Sequence, residues 1–178
     1  MTKYFHISAT MLGEGSVVLP GNFGRNLKAY SVGPRGPEGH FINLARELIF
    51  ESIRKERYAD KVSRFEACFL FESYEAVQRF GHYINTTGVI YEASIVNPGA
   101  KIHRGDFSMF QDHTLHQQVP FIALHERQAK DYWTNAPQLR VGPDGVGTLL
   151  QDVETAEILT DSPIRLERQI GFVNGTAP

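Results

Sequence analysis

Cysteine is nearly absent from this chain: Cys68 is the single thiol in 178 residues. One thiol cannot close an internal disulfide, so the sequence needs no oxidising compartment and suits a reducing cytosol. Long apolar runs are missing too. None approaches the roughly 20 residues of a membrane-spanning helix, so no membrane is expected among the partners. No basic-then-apolar leader opens the sequence. The expected location is therefore cytoplasmic, or a host cell's cytosol reached by a specialised secretion system that leaves no such mark. Positive charge is not in excess, since 18 Lys and Arg face 20 Asp and Glu. Nucleic acid is accordingly the less favoured partner, because phosphate binding ordinarily appears as a basic surplus. Repeats, low-complexity tracts and linkers are also lacking.

What the chain does have is apolar and aromatic mass. Hydrophobic residues make up 42%, and Phe and Tyr number 12 and 7, enough for one domain spanning 1–178 to bury a core without disulfides or a structural metal. From Pro20 to Gly39 five glycines and three prolines predict a long loop of the kind that often binds or covers a ligand. "FINLARELIFESIRKERY" then sets Phe41, Leu44, Ala45, Leu48, Ile49 and Ile53 at helical spacing, a stripe expected to face the core. "SRFEACFLFES" reads as an aromatic strand, with Ser73 capping a helix over "YEAVQRFGHYI". "GVIYEASIV" alternates as a strand and Pro98-Gly99 turns the chain. A further helix covers "FIALHERQAKDYW", whose Trp133 is expected to anchor it on the sheet. "AEILTDSPIRLERQIGFV" gives two strands about Ser162-Pro163. The sum is an α+β fold built on antiparallel sheet.

Several patterns carry no chemistry on this reading. His113, His116 and His125 lack a His-Glu-x-x-His motif and a cysteine partner, so no metal is expected. "GPDGVG" is turn chemistry without the strand and helix of a phosphate loop. Cys68 sits among apolar residues, as a buried thiol does rather than a nucleophile.

The order of parts is informative. A first strand ending His6-Ile7-Ser8 precedes a Gly-rich loop and a helix. The aromatic-strand-to-helix junction "FLFESYEAVQRFG" follows, then "VIYEASIVNPGAKI", and late in the chain "VETAEILTDSPI". This series resembles the ADP-ribosyltransferase superfamily, in its histidine-aromatic-glutamate branch that includes diphtheria toxin and the poly-ADP-ribose polymerases. "VETAEILTDSPI" is similar to the glutamate-bearing strand of DNA-modifying transferases of the DarT type. The "SRF" and "YW" before Glu157 are similar to a bacterial family that ADP-ribosylates ubiquitin on threonine. The sequence departs from the pattern in three ways. Ile7 stands where glycine is common, the stacking aromatic is Phe69 or Phe71 instead of tyrosine, and there is no arginine-specific Glu-x-Glu pair.

The resemblance implies two packed, mainly antiparallel sheets with flanking helices and an NAD cleft between them. It implies NAD as co-substrate, and transfer of ADP-ribose to a protein acceptor, with ubiquitin threonine a candidate, as a toxin or effector does. Glu157 would be the catalytic carboxylate, with Glu154 the competing candidate. Glu157 directly precedes the apolar pair Ile158-Leu159, where the start of a strand holds it rigidly. His6 would hold the nicotinamide ribose, the Ile7 backbone the nicotinamide amide, and Ser8 a ribose or phosphate oxygen. Phe69 or Phe71 would stack on nicotinamide. Arg64, whose planar guanidinium suits bidentate recognition, would fork onto the pyrophosphate, with Arg25 a second candidate. Two alternatives stay open: an NAD glycohydrolase or a nucleic-acid-modifying transferase, and a recognition module of the same fold without catalysis.

Overall fold

A computed structural model of the chain describes residues 3–29, 38–110, 120–135, 138–141, 147–150 and 156–175. Its strands are β1 (Tyr4–Ser8), β2 (Val17–Val18), β3 (Cys68–Phe71), β4 (Val89–Ile95), β5 (Ile102–Asp106), β6 (Gln138–Val141), β7 (Gly147–Leu150), β8 (Ala156–Thr160) and β9 (Ile164–Phe172). The helices are α1 (Asn22–Lys28), α2 (Glu38–Arg57), α3 (Tyr74–Ile84) and α4 (Phe121–Thr134), with 3-10 turns at Arg64–Glu66 and Phe107–Phe110.

The α+β class and the antiparallel pairing expected from the sequence are both present. Seven strands form one sheet in the order β2-β9-β4-β1-β3-β8-β5, and β6 and β7 pair as a separate hairpin. This differs from the two packed sheets the resemblance implied, and the reason lies at β1. All five of its residues pair with β4, while Phe5↔Phe71 is its single register pair with β3. The sheet is continuous through a seam one pair wide.

Alternation of side chains across the strands fixes the two faces. On one, Phe71 packs with Val77, Phe80 and Ile90 beneath α3, and Leu159 packs with Phe50, Tyr132 and Trp133 beneath α2 and α4. On the other, Leu70, Tyr91, Ile158 and Leu166 form a second cluster. The Trp133 indole donates to the Phe50 carbonyl at 3.0 Å, fastening α4 to α2. Ser73 caps α3 as read, its hydroxyl accepting from the Ala76 N–H at 3.1 Å.

Two expectations are corrected. The stretch from Pro20 to Gly39 is not wholly loop, since it holds α1, which packs on the 3-10 turn at Arg64–Glu66 and is entered through Gly21 in the left-handed conformation. Gly24 belongs there by necessity, because a Cβ would stand 2.1 Å from the Phe65 carbonyl oxygen. The apolar stripe of α2 is also turned from the expected one. Phe41 and Leu48 are exposed at 58% and 53%, whereas Phe50 and, unexpectedly, Glu47 are buried at 0% and 1% exposure.

Candidate functional site

Chain neighbours do not make this site; sheet topology does. β1, β3 and β8 adjoin in that order, although they begin at positions 4, 68 and 156. Phe5, Phe71 and Glu157 stand in register across them, with Gly105 of β5 next in line. His6 and Glu157 therefore lie about two strand spacings apart, roughly 10 Å.

His6 alternates with Phe5 and sets out from the other face, yet its ring turns into the seam. There Nδ1 meets the Phe69 carbonyl at 2.9 Å. A carbonyl can only accept, so Nδ1 carries the proton and Nε2 keeps its lone pair. Burial pulls the imidazole's pKa below its usual value despite that bond, which favours the neutral ring. Ile7 lies level with the gap beyond the single Phe5↔Phe71 pair, and its side chain packs with the α3 cluster. The Ser8 hydroxyl is spent locally, donating to the Thr10 carbonyl at 2.7 Å and accepting from the Thr10 N–H at 3.3 Å. That is turn chemistry.

The two aromatic candidates part company. Phe71 is 3% exposed and meets Phe107 edge to face at 5.7 Å, inside the core. Phe69 is half-buried. Its ring stands 5.0 Å from Phe23 of α1 and has the Arg64 guanidinium over it at 5.0 Å, while its own carbonyl holds His6.

Arg64, expected to fork onto the pyrophosphate, faces inward at 4% exposure, and its guanidinium nitrogens are engaged by protein groups. Its Nε and Nη2 donate to the two oxygens of Glu47 at 2.8 and 3.3 Å. Its Nη1 donates to Glu157 Oε2 and, at 2.7 Å, to the Tyr132 hydroxyl. The Tyr132 hydroxyl in turn donates to the same Oε2 at 2.7 Å. Burial opposes the charge on Arg64, but Glu157 and Glu47 outweigh it and hold the guanidinium protonated well above its usual range. Burial, with Glu157 adjacent, likewise pushes the Tyr132 phenol well above its usual pKa, so it stays a donor. Arg46 closes the group against Glu47 at 3.4 Å.

Glu157 is 2% exposed, and the bonds it accepts all end on Oε2; Oε1 has no protein partner among the described residues. Glu154 lies outside the described residues, as do His113, His116 and most of "GPDGVG". His125 meets the Gln128 amide oxygen at 2.7 Å and the Phe121 ring at 4.3 Å. Among the described residues no group of three His, Cys, Asp or Glu is disposed to hold a metal, and no helix is long and apolar enough to cross a membrane. Burial raises the Cys68 thiol to about 11, leaving it poorly nucleophilic. Arg25 and Lys28 rim a depression of about 280 Å³ beside Gly24, Phe65 and Glu66.

Three members of this cluster escape a reading of the sequence. Glu47 is hidden within the helix pattern, Tyr132 figures only within the "YW" pair, and Gly105 has no local signal. What identifies them is their meeting around Glu157. In comparison with known proteins, residues 22–142 match the family model described as "Protein of unknown function (DUF2441)". No curated protein matches the chain.

Proposed function

We propose that this chain, which belongs to the DUF2441 family of proteins of unknown function, is an NAD-dependent mono-ADP-ribosyltransferase. One observation carries the reading. His6, Phe69 and Glu157 come from three neighbouring strands, and they are linked through the Phe69 carbonyl and the Arg64 guanidinium.

The chemistry follows from the substrate. Nicotinamide in NAD is already cationic, so it departs with the bonding pair of its N-glycosidic bond and needs no protonation. One carboxylate is therefore enough where an O-glycosidase needs two. As that bond lengthens, positive charge grows on the ribose. Oε1 of Glu157, accepting from the ribose 2′-hydroxyl, stabilises this charge more than it stabilises the ground state. His6 Nε2 accepts from a second ribose hydroxyl, and the Phe69 ring stacks on nicotinamide. The acceptor hydroxyl oxygen then bonds to the ribose C1′, its proton passing to solvent, so NAD and acceptor yield ADP-ribosylated acceptor, nicotinamide and a proton. Arg64 no longer serves pyrophosphate in this reading; Arg25, at the open depression, takes that part. The acceptor is a protein, for which the family resemblance makes ubiquitin threonine the first candidate, and the setting is the cytosol of the producing or a host cell.

The test is incubation with labelled NAD and a panel of acceptors that includes ubiquitin, read by intact mass and by nicotinamide release. A mass gain of one ADP-ribose on a protein supports the reading. Nicotinamide release without a labelled protein makes the chain a glycohydrolase, and a labelled oligonucleotide moves the acceptor to nucleic acid. Neither turnover nor heat of NAD binding by calorimetry would leave a recognition module and overturn the proposal.

A further inference from the structure

We infer that Tyr132 is a positioning residue for Glu157, seated in a recess that Gly105 keeps open, and that it fixes one carboxylate oxygen so that the other is presented to substrate. The inference rests on the transferase reading of Glu157.

Gly105 of β5 is the direct cross-strand partner of Glu157. A Cβ at Gly105 would lie 2.2 Å from Cε2 of the Tyr132 ring and 2.4 Å from its Cζ, so any other residue would evict the ring. Glycine weakens a strand by losing more backbone freedom and packing nothing. Its occurrence inside β5 is accounted for by the ring it admits.

The seat aims the hydroxyl. Tyr132 accepts from Arg64 Nη1 and donates to Glu157 Oε2, both at 2.7 Å. Arg64 donates to the same oxygen, and its other nitrogens are locked on Glu47. A phenol that accepts from one side can turn its single proton only to the other. The direction of each bond is thus determined, and Oε2 receives two donors while Oε1 receives none among the described residues. Two donors on Oε2 restrict rotation of the carboxylate and so narrow the range of Oε1 about the ribose hydroxyl, which is the geometric precision transition-state stabilisation requires.

The test is steady-state NAD turnover by the full chain, with melting temperature and NAD affinity measured in parallel. Tyr132→Phe removes the hydroxyl and keeps the ring. It should lower kcat on the order of 10- to 100-fold with KM for NAD changed by less than about threefold. Gly105→Ala displaces the ring without altering the hydroxyl, and its folded fraction should repeat the pattern; it decides the matter should Tyr132→Phe not fold. A role in stability alone would lower the melting temperature and leave kcat of folded protein at the wild-type value, which overturns the inference. Failure of the transferase reading is a separate result, absence of turnover in the wild type, and it removes this inference as well.

Discussion

Tyr132 and Glu157 are 25 residues apart in sequence and joined by a 2.7 Å hydrogen bond between α4 and β8. The bond links a helix on the sheet's covered face to the strand bearing the proposed catalytic carboxylate. The same carboxylate oxygen takes Arg64 from the 3-10 turn before β3, so three elements converge on one atom.

Removing the charge at that point should stop the reaction while leaving substrate bound. Glu157→Gln is expected to reduce NAD turnover on the order of 10²-fold or more, by analogy with loss of one preorganised electrostatic group. Calorimetry should show NAD affinity changed only a few-fold. Turnover equal to wild type would exclude Glu157 as the stabilising group.

His6 makes a different prediction because its role is binding. With Nδ1 given to the Phe69 carbonyl, Nε2 can only accept, and His6→Phe loses that bond to the ribose. KM for NAD should rise by about fivefold, corresponding to one hydrogen bond of roughly 1 kcal/mol. An unchanged KM would remove His6 from the ribose contact.

The pH dependence of stability turns on His103, whose ring packs edge-on against Tyr132 at 5.2 Å. Burial pulls His103 down to about 4, with nearby Lys61 and Arg64 adding to the effect, and the ring is 4% exposed. Its pKa is depressed on folding, so between about 4 and the unfolded value of 6.5 the unfolded chain binds more protons than the folded one. Stability should therefore be full above pH 6.5 and fall through that window, by roughly 3 kcal/mol at its acid end. His6, lowered in the same direction by burial, adds to the loss. Denaturant titrations at pH 7.5 and pH 5 check this. Replacing His103 with leucine should flatten the profile, and an unchanged slope would clear His103 of the effect.

Glu47 tests the buried charges as a structural unit. Its carboxylate is 1% exposed and shared by Arg64 and Arg46. Glu47→Ala strands Arg64 with one counter-charge fewer and should cost about 3 kcal/mol or more. Glu92 is paired with Lys3 and Arg168, whose side chains are 71% and 62% exposed. Glu92→Ala should cost less than about 1 kcal/mol. Equal losses in urea melts would mean that the inner cluster is no more coupled than a surface pair.

How far the sequence discloses this arrangement depends on the reach of each signal. Ser73 and the alternation over Val89–Ile95 are local, and α3 and β4 stand where they were read. The position of α2 is legible for the same reason. Its buried face is not, because Glu47 turns inward only to meet Arg64, 17 residues later. Periodicity ranks a glutamate as solvent-facing and has no means to register a distant guanidinium. α1 is hidden by Gly24, whose place is set by the Phe65 carbonyl and not by helix propensity. The α+β class follows from element order, but the one-pair seam depends on how β1 sits between two strands, a property of the assembled sheet. At the proposed site, His6 and Glu157 are candidates that motif resemblance supplies. Tyr132 and Gly105 are not, because each makes sense only beside the other.

The Phe5↔Phe71 pair is the single ladder pair between β1 and β3; with the His6–Phe69 hydrogen bond and the α3 cluster that packs on both strands, it marks the line of fewest backbone pairs in the sheet. On one side lie β2, β9, β4 and β1, on the other β3, β8 and β5, each half held by longer ladders than that one pair. A dinucleotide gripped by His6 on the first half and Glu157 on the second would straddle that line like a clasp. Amide hydrogen exchange near Phe5 and Phe71 should then slow when NAD is added, even though neither residue touches it.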